Sequence, residues 1–385
     1  MRNGQRVFDA DTHEQPSAET LEPYFDRDLR ERLPDLEPYK VPIKIGRAGE
    51  IRQPPYRHFI RFGRAEGWGS AKPRILGEAE PRDTDRHFQQ FMGSRFPTEN
   101  GGDDRADIRL ADMDEEGVDV HMMVPGGAFG HKDPATEMAL LRAAHRHLDD
   151  FCSASPHRLK SLIMVTARCV DESVQEIRRW GRSSWAVGIQ PFLPLDYPLD
   201  HPDLNPLWQA ADEEGLTVVH HSFAGGYPGY RDLWNNPFLG RTASHPWAAM
   251  RAVGSFLGSG IMDRYPNIKF AVLESGFGWL PFWARRMDDQ VTYMGTVAED
   301  LKRRPSEYME SGRFFCSIVL HEGEEMVKMV DELMGDQILM FGSDYPHAES
   351  RFPDSVDIVQ GWSCLSQLQR DNLFWNNAVR CFGEP

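Results

Sequence analysis

Apolar and polar positions along this chain change rhythm twice. The stretch VFDADTHEQP (7–16) begins apolar and then places Asp9, Asp11 and His13 on alternate positions, the spacing that puts side chains on one side of a strand. From 14 to about 103 little periodicity is visible, and IRQPPYRHFIRFGRAEGWGS (51–70) is typical of it. So long an irregular stretch in a compact protein is a lid, a binding loop or a disordered segment. The aromatics Tyr56, Phe59, Phe62 and Trp68 argue against disorder, so the pattern predicts a cap. From 104 onward helical and extended periods alternate. RADIRLADMDEEG reads as a helix stopped by Gly117, and VDVHMMVP follows as a strand. The same pairing recurs six times: helix 134–153 before LKSLIMVTA, DESVQEIRRWG before AVGIQPFL, LNPLWQAADEEG before LTVVHHS, WAAMRAVGSFLGSGIMDRYP before IKFAVLESG, helices between 279 and 310 before RFFCSIVLHE, and EEMVKMVDELMG before QILMFGSDYPH.

With the opening strand this makes eight strands, seven helical crossovers and a helical C-terminal tail. The expected fold is α/β, a (β/α)8 TIM barrel forming one domain over 1–385, with 14–103 inserted as a cap after strand one. Chemistry on such a barrel belongs at the C-terminal ends of the strands. No linker marks a second domain, and no repeat of about 20–50 residues suggests a solenoid.

Composition narrows the class further. A hydrophobic fraction of 40% supports a sizeable core, and no run of about 18 apolar residues predicts a membrane span. The start MRNGQRVFDA lacks the apolar region of a signal peptide. Five cysteines without CxxC spacing suit a reducing cytoplasm. A net charge of −16 argues against nucleic acid and anionic membrane as partners. Arg57, Arg61 and Arg64 form either a solvated basic loop or a local anion site. The dinucleotide, phosphate-loop, nucleophile-elbow and HExxH motifs are absent.

The polar strand ends carry the candidate chemistry. Strand one ends in Asp9, Asp11 and His13. Strand five ends in His220 and His221, which face opposite ways. Strand six ends in Glu274, and strand eight in Asp344 followed by His347. Carboxylates and imidazoles gathered at one barrel mouth repel or desolvate one another unless a cation neutralises them, and a divalent metal is the economical answer.

The order of DxH on strand one, His on strand five and GSDYPH on strand eight resembles the amidohydrolase superfamily. More closely it resembles the branch of aminocarboxymuconate semialdehyde decarboxylase and related aromatic-acid decarboxylases. SGIMDRYPNIKFAVLESGFGWLPFWARRMD (259–288) is similar to that branch's strand-six region, and the resemblance covers roughly 5–13 and 104–385. It implies Asp11, His13, His221 and Asp344 as metal ligands, with His221 preferred to His220 because family strands place the ligand just before the turn. Two positions depart from the branch. Asp11 stands where it often has histidine, and Glu274 where its decarboxylases carry a catalytic histidine. Glu274 is then a general acid/base, or a ligand bridging two metals and joined by His245 and His347. This carboxylate enrichment resembles the superfamily's dinuclear non-haem-iron monooxygenases, whose setting is the biosynthesis of diterpenoid antibiotics such as platensimycin and platencin.

Three functions are therefore expected in order. The first is oxygenation of a bulky apolar acyl substrate, possibly linked to coenzyme A, by two iron ions and dioxygen. The alternative is a hydrolase or decarboxylase of a carboxylic acid holding one zinc or manganese. The third is a catalytically silent binding or scaffold barrel. Asp9 either hydrogen-bonds backbone, orients a ligand or joins a second metal. His245, before Pro246, either caps the next helix or serves the site, and His347 is a candidate partner of Asp344. His321 is a further inward candidate, His121 a satisfied core residue, and His58, His87 and His131 surface or cap residues. Trp68, Phe223, Tyr227, Tyr230 and Trp234 are expected to wall an apolar substrate or to pack the cap. Trp279, Phe282 and Trp283 suggest a homodimer interface.

Overall fold

The computed structural model describes residues 1–45, 50–62, 92–94, 101–126, 130–193, 198–221, 237–295 and 301–385. Eight parallel strands form one sheet in chain order: β1 (Phe8–Glu14), β2 (Val120–Pro125), β3 (Leu159–Thr166), β4 (Ala186–Phe192), β5 (Thr217–His221), β6 (Lys269–Leu273), β7 (Phe314–Ser317) and β8 (Leu339–Met340). Each pairs with the next. A parallel bridge from Thr12 to Tyr345 brings β1 against the segment that follows β8, so the sheet curls into the expected barrel. The crossovers carry helices α1 (Ala106–Glu116), α2 (Pro134–Ser153), α3 (Val170–Trp180), α4 (Asn205–Glu214), α5 (Pro237–Gly258), α6 (Leu280–Met294) and α7 (Gly323–Met334). Their ends follow local rules. The Asp133 side chain accepts from the Thr136 amide at the start of α2, and Gly117 closes α1 at φ +82°, where an L side chain would be strained.

Three apolar clusters hold this arrangement. Phe8, Ala10, Met122, Val219, Leu273 and Met340 fill the barrel interior, and Trp375 and Phe382 from the C-terminal helices pack onto Phe8 at its lower end. A larger layer joins the outward strand faces to the helices. The third cluster seats Leu21, Phe25, Leu29 and Ile60 against Met138, Leu141 and Met164. The early part of the stretch expected to be irregular thus contains the short helices Ala18–Leu21, Arg27–Glu31 and Leu33–Leu36, and strand Lys40–Pro42 pairs antiparallel with His58–Ile60. Elements of three to five residues are too short to show a period.

Two other expectations are corrected. Strand seven stops at Ser317, and the chain turns into a 3-10 segment, Leu320–Glu322, that leaves His321 exposed. Helix α5 begins well before Trp247 and runs through Pro246, so His245 lies within a helix and not in the preceding loop.

Candidate metal centre

A bulge decides what strand β1 delivers. Phe8 and Ala10 belong to the interior cluster, so Asp9 between them turns away from it. The pairing register slips between Asp9 and Thr12, where three residues of β1 span two of β2. Such a bulge re-aims the side chains beyond it. Asp11 and His13 consequently reach the mouth, whereas Asp9 accepts from the amides of Asp11 (3.2 Å) and Ser343 (3.1 Å). Burial pushes the Asp9 carboxyl well above its usual range. Asp9 therefore holds backbone amides through Oδ1 and lies outside both groups of converging ligand atoms, while its Oδ2 is buried without a hydrogen bond.

Strand β5 separates its two histidines by the same alternation. Val219 lies in the interior cluster, so His221 shares its face and His220 does not. His220 is buried on the other side, and that burial, with His221 adjacent, pulls its imidazole down to about 3.

Around the mouth the atoms converge. His13 Nε2 lies 2.9 Å from Asp344 Oδ1, 3.5 Å from Glu274 Oε2 and 3.9 Å from Asp11 Oδ1. His221 Nε2 lies 3.1 Å from Glu274 Oε2 and 3.6 Å from Asp11 Oδ1. The ligating atoms of His13, Glu274, Asp344 and His347 fall within 4.8 Å of one another, as do those of Asp11, His13 and His221. Burial opposes the ionised form of Glu274, but His13 and His221 hold it well below the usual carboxylate range. His221 is raised well above its ordinary value by Asp11 and Glu274, against the opposing effect of burial.

The supports of these side chains are specific. Asp11 Oδ2 accepts from the Glu274 amide (2.8 Å) and from Ser317 Oγ (2.8 Å). His245 Nδ1 donates to the Glu274 carbonyl (2.9 Å), which makes His245 a holder of Glu274 and leaves it outside both ligand groups. Glu274 (φ +46°) and Asp344 (φ +61°) are two of the three non-glycine residues with positive φ among the described residues. Such backbone strain persists only where surrounding contacts over-determine it. His347 stacks on His13 with ring centroids 4.0 Å apart and pairs with Asp344 Oδ1 at 2.8 Å. Its side chain is 45% exposed, so it forms part of the rim. Partial desolvation of the stacked ring lowers its affinity for a proton, but the Asp344 charge overrides this and raises the imidazole to about 9.

Sequence reasoning missed Ser317, Arg109 and Glu322. Glu322 Oε2 accepts from the amides of Phe277 (3.0 Å) and Gly278 (2.7 Å), pinning the loop that leaves Glu274. Gly276, at φ +68°, is needed there, because a Cβ would come 2.2 Å from Glu322 Oε1. A signal for Arg109 was present: with Asp112, Met113 and Glu116 it occupies the buried face of α1, an unusual place for charge. His121 is buried and accepts from Arg109 through Nδ1 but leaves Nε2 without a hydrogen bond, so the expected satisfied core histidine is only half satisfied, while His131 is buried against Tyr39 and Phe62 of the cap stretch. Trp68, Phe223, Tyr227, Tyr230, Trp234 and His87 lie outside the described residues.

The donor set fits a divalent cation. Asp11 Oδ1, His13 Nε2 and Asp344 Oδ2 are buried and make no hydrogen bond, a costly state for three polar atoms unless something positive satisfies them. Carboxylate oxygens mixed with imidazole nitrogens suit zinc, manganese or iron.

Residues 82–383 match the model of the amidohydrolase family. The chain belongs to that family. This amidohydrolase is 25% identical over 284 residues to 2-amino-3-carboxymuconate-6-semialdehyde decarboxylase of Dictyostelium discoideum, covering 72% of this chain and 76% of the relative. It is 23% identical over 304 residues to gamma-resorcylate decarboxylase of a Polaromonas species, covering 72% and 87%. Its fold is similar to the crystal structure of 5-carboxyvanillate decarboxylase from Novosphingobium aromaticivorans with bound manganese. The TM-score is 0.66 at 19% identity, over 99% of this chain and 98% of the other. All three are decarboxylases by name, and the expected likeness to an iron monooxygenase has no support among them. No helix among the described residues is long and apolar enough to cross a membrane.

Proposed function

We propose that this amidohydrolase is a decarboxylase of an aromatic carboxylic acid that works with one divalent metal ion, best manganese or zinc. The carrying observation is the group of buried, unsatisfied atoms Asp11 Oδ1, His13 Nε2 and Asp344 Oδ2 converging at the barrel mouth beside His221. The family relatives that share this barrel add the reaction class. Asp11, His13, His221 and Asp344 would hold the ion, which would supply positive charge to bind the acid and to stabilise the negative charge that develops as carbon dioxide leaves.

The remaining work falls to the chain. Loss of carbon dioxide leaves an electron pair on the ring carbon, and a proton must reach that carbon. Glu274 is assigned the proton transfer: as a carboxylate it would take a proton from water and deliver it to that carbon, and its Oε2 faces the mouth within 3.5 Å of His13 Nε2 and His221 Nε2. His245 and Asp11 keep it aimed by holding its carbonyl and its amide. Asp344 is steadied by His347, whose ring also covers His13.

The test is carbon dioxide release from a panel of hydroxybenzoic acids by protein reconstituted with manganese. Release that stops with chelator and returns with manganese supports the reading. In Glu274→Gln, full manganese content with lost turnover supports proton transfer, whereas lost manganese makes Glu274 a fifth ligand. A second reading keeps one specific observation: Glu274 adds a third carboxylate where the resemblance implies histidine. Two irons per chain and dioxygen consumption with an acyl substrate, without carbon dioxide release, would favour the monooxygenase and sink the decarboxylase.

A further inference from the structure

We infer that Arg109 and Tyr345 are positioning residues that set His13 and Asp344 at the seam where the barrel closes. This rests on the metal-centre reading above. Strand β8 has only two residues, so most of the closure lies beyond its ladder. There Ala10 N donates to Phe341 O (2.9 Å), Asp344 N to Asp11 O (2.9 Å) and His13 N to Tyr345 O (2.6 Å). These bonds tie the two segments that carry three of the four ligands.

Helix α1 braces the seam from outside. Arg109 is fully buried; its Nη1 donates to the His13 carbonyl (2.8 Å), its Nη2 to Thr12 Oγ1 (3.0 Å) and its Nε to His121 Nδ1 (3.2 Å). The guanidinium lies 5.0 Å from the centre of the Tyr345 ring and 3.6 Å from Asp103 Oδ1. The Tyr345 hydroxyl donates to Asp112 Oδ2 (2.8 Å), and Asp112 sits one helical turn from Arg109. One face of one helix therefore presents a cation to the strand bearing His13 and an acceptor to the residue beside Asp344. The planar fork of an arginine grips Thr12 and His13 together, which a lysine ammonium cannot do. Asp344 needs such bracing, because its left-handed backbone would otherwise relax. Metal ligands must hold their places to about 0.2 Å, so slack in this seam is read directly as lost affinity.

The experiment is calorimetric titration of manganese into the metal-stripped full chain, alongside the thermal midpoint of the metal-free protein. Arg109→Lys and Tyr345→Phe should weaken manganese binding about tenfold or more. Thr12→Val should do the same, while Thr12→Ser keeps the hydroxyl and restores wild-type affinity. If Arg109→Lys fails to fold, Tyr345→Phe and Thr12→Val decide the matter. A role in folding alone would lower the thermal midpoint and leave manganese affinity within twofold of wild type, which overturns the inference. A wild-type chain that binds no manganese overturns the metal-centre reading itself, a result distinct from unchanged variants.

Discussion

Two of the buried imidazole and carboxylate sets among the described residues differ in what is left over. Outside the sheet, His145 Nδ1 pairs with Glu176 Oε2 at 2.7 Å, His145 Nε2 accepts from the Met164 amide, and Trp180 donates to the same carboxylate. Both imidazole nitrogens are used. At the mouth, His13 Nε2, Asp11 Oδ1 and Asp344 Oδ2 meet with no hydrogen bond among them. The saturated set is a joint between α2 and α3, whereas the open set is built to receive something. Convergence of unsatisfied atoms from several side chains on one point, more than the presence of histidine and acid, separates this site from this strut.

The largest test of that contrast is Asp344→Ala. Metal analysis should show the ion lost and turnover lowered at least about a thousandfold, the several kcal/mol that a bound cation contributes. A variant that keeps its manganese would break the comparison from the open side. His145→Ala should break it from the other: denaturant unfolding should show about 3–5 kcal/mol of lost stability, with manganese affinity unchanged.

Glu116 is an intermediate case, with one oxygen accepting from the Ser355 amide and the other without a hydrogen bond. Burial pushes its carboxyl from 4.5 to about 7. The folded state therefore holds this proton more tightly than the unfolded chain, so its contribution is full below about pH 4.5 and is lost as pH rises through about 7. Glu116→Gln should match the parent near pH 4.5 and exceed it by up to about 3 kcal/mol at pH 8, measured by thermal melts at both values. The smallest expected effect sharpens the open set: manganese at about 100 times its dissociation constant should stabilise the folded chain by about 2.7 kcal/mol.

The barrel was legible because seven helix–strand pairs repeat with clear periods and capping glycines. Asp11, His13, His221, Glu274 and Asp344 were legible because acids and imidazoles stand at strand ends, where apolar residues would otherwise run on. What escaped depended on geometry that no period encodes. Strict alternation groups Asp9 with Asp11, and only the bulge in β1 parts them. Pro246 reads as a helix start, yet α5 continues through it. Arg109 and Tyr345 act through contacts between segments far apart in sequence, which local pattern reading does not reach.

The closing seam joins the first strand to the last turn, and that has a consequence for how the molecule is made. A chain leaving the ribosome exposes Asp11 and His13 long before residues 341–345 exist to close over them. Contacts between such distant segments form late, because chain closure must precede any gain from them. The complete set of proposed ligands would therefore exist only in a finished, shut barrel. Uptake of the ion would mark the end of assembly, and copies that stop short of the final turn would go without it.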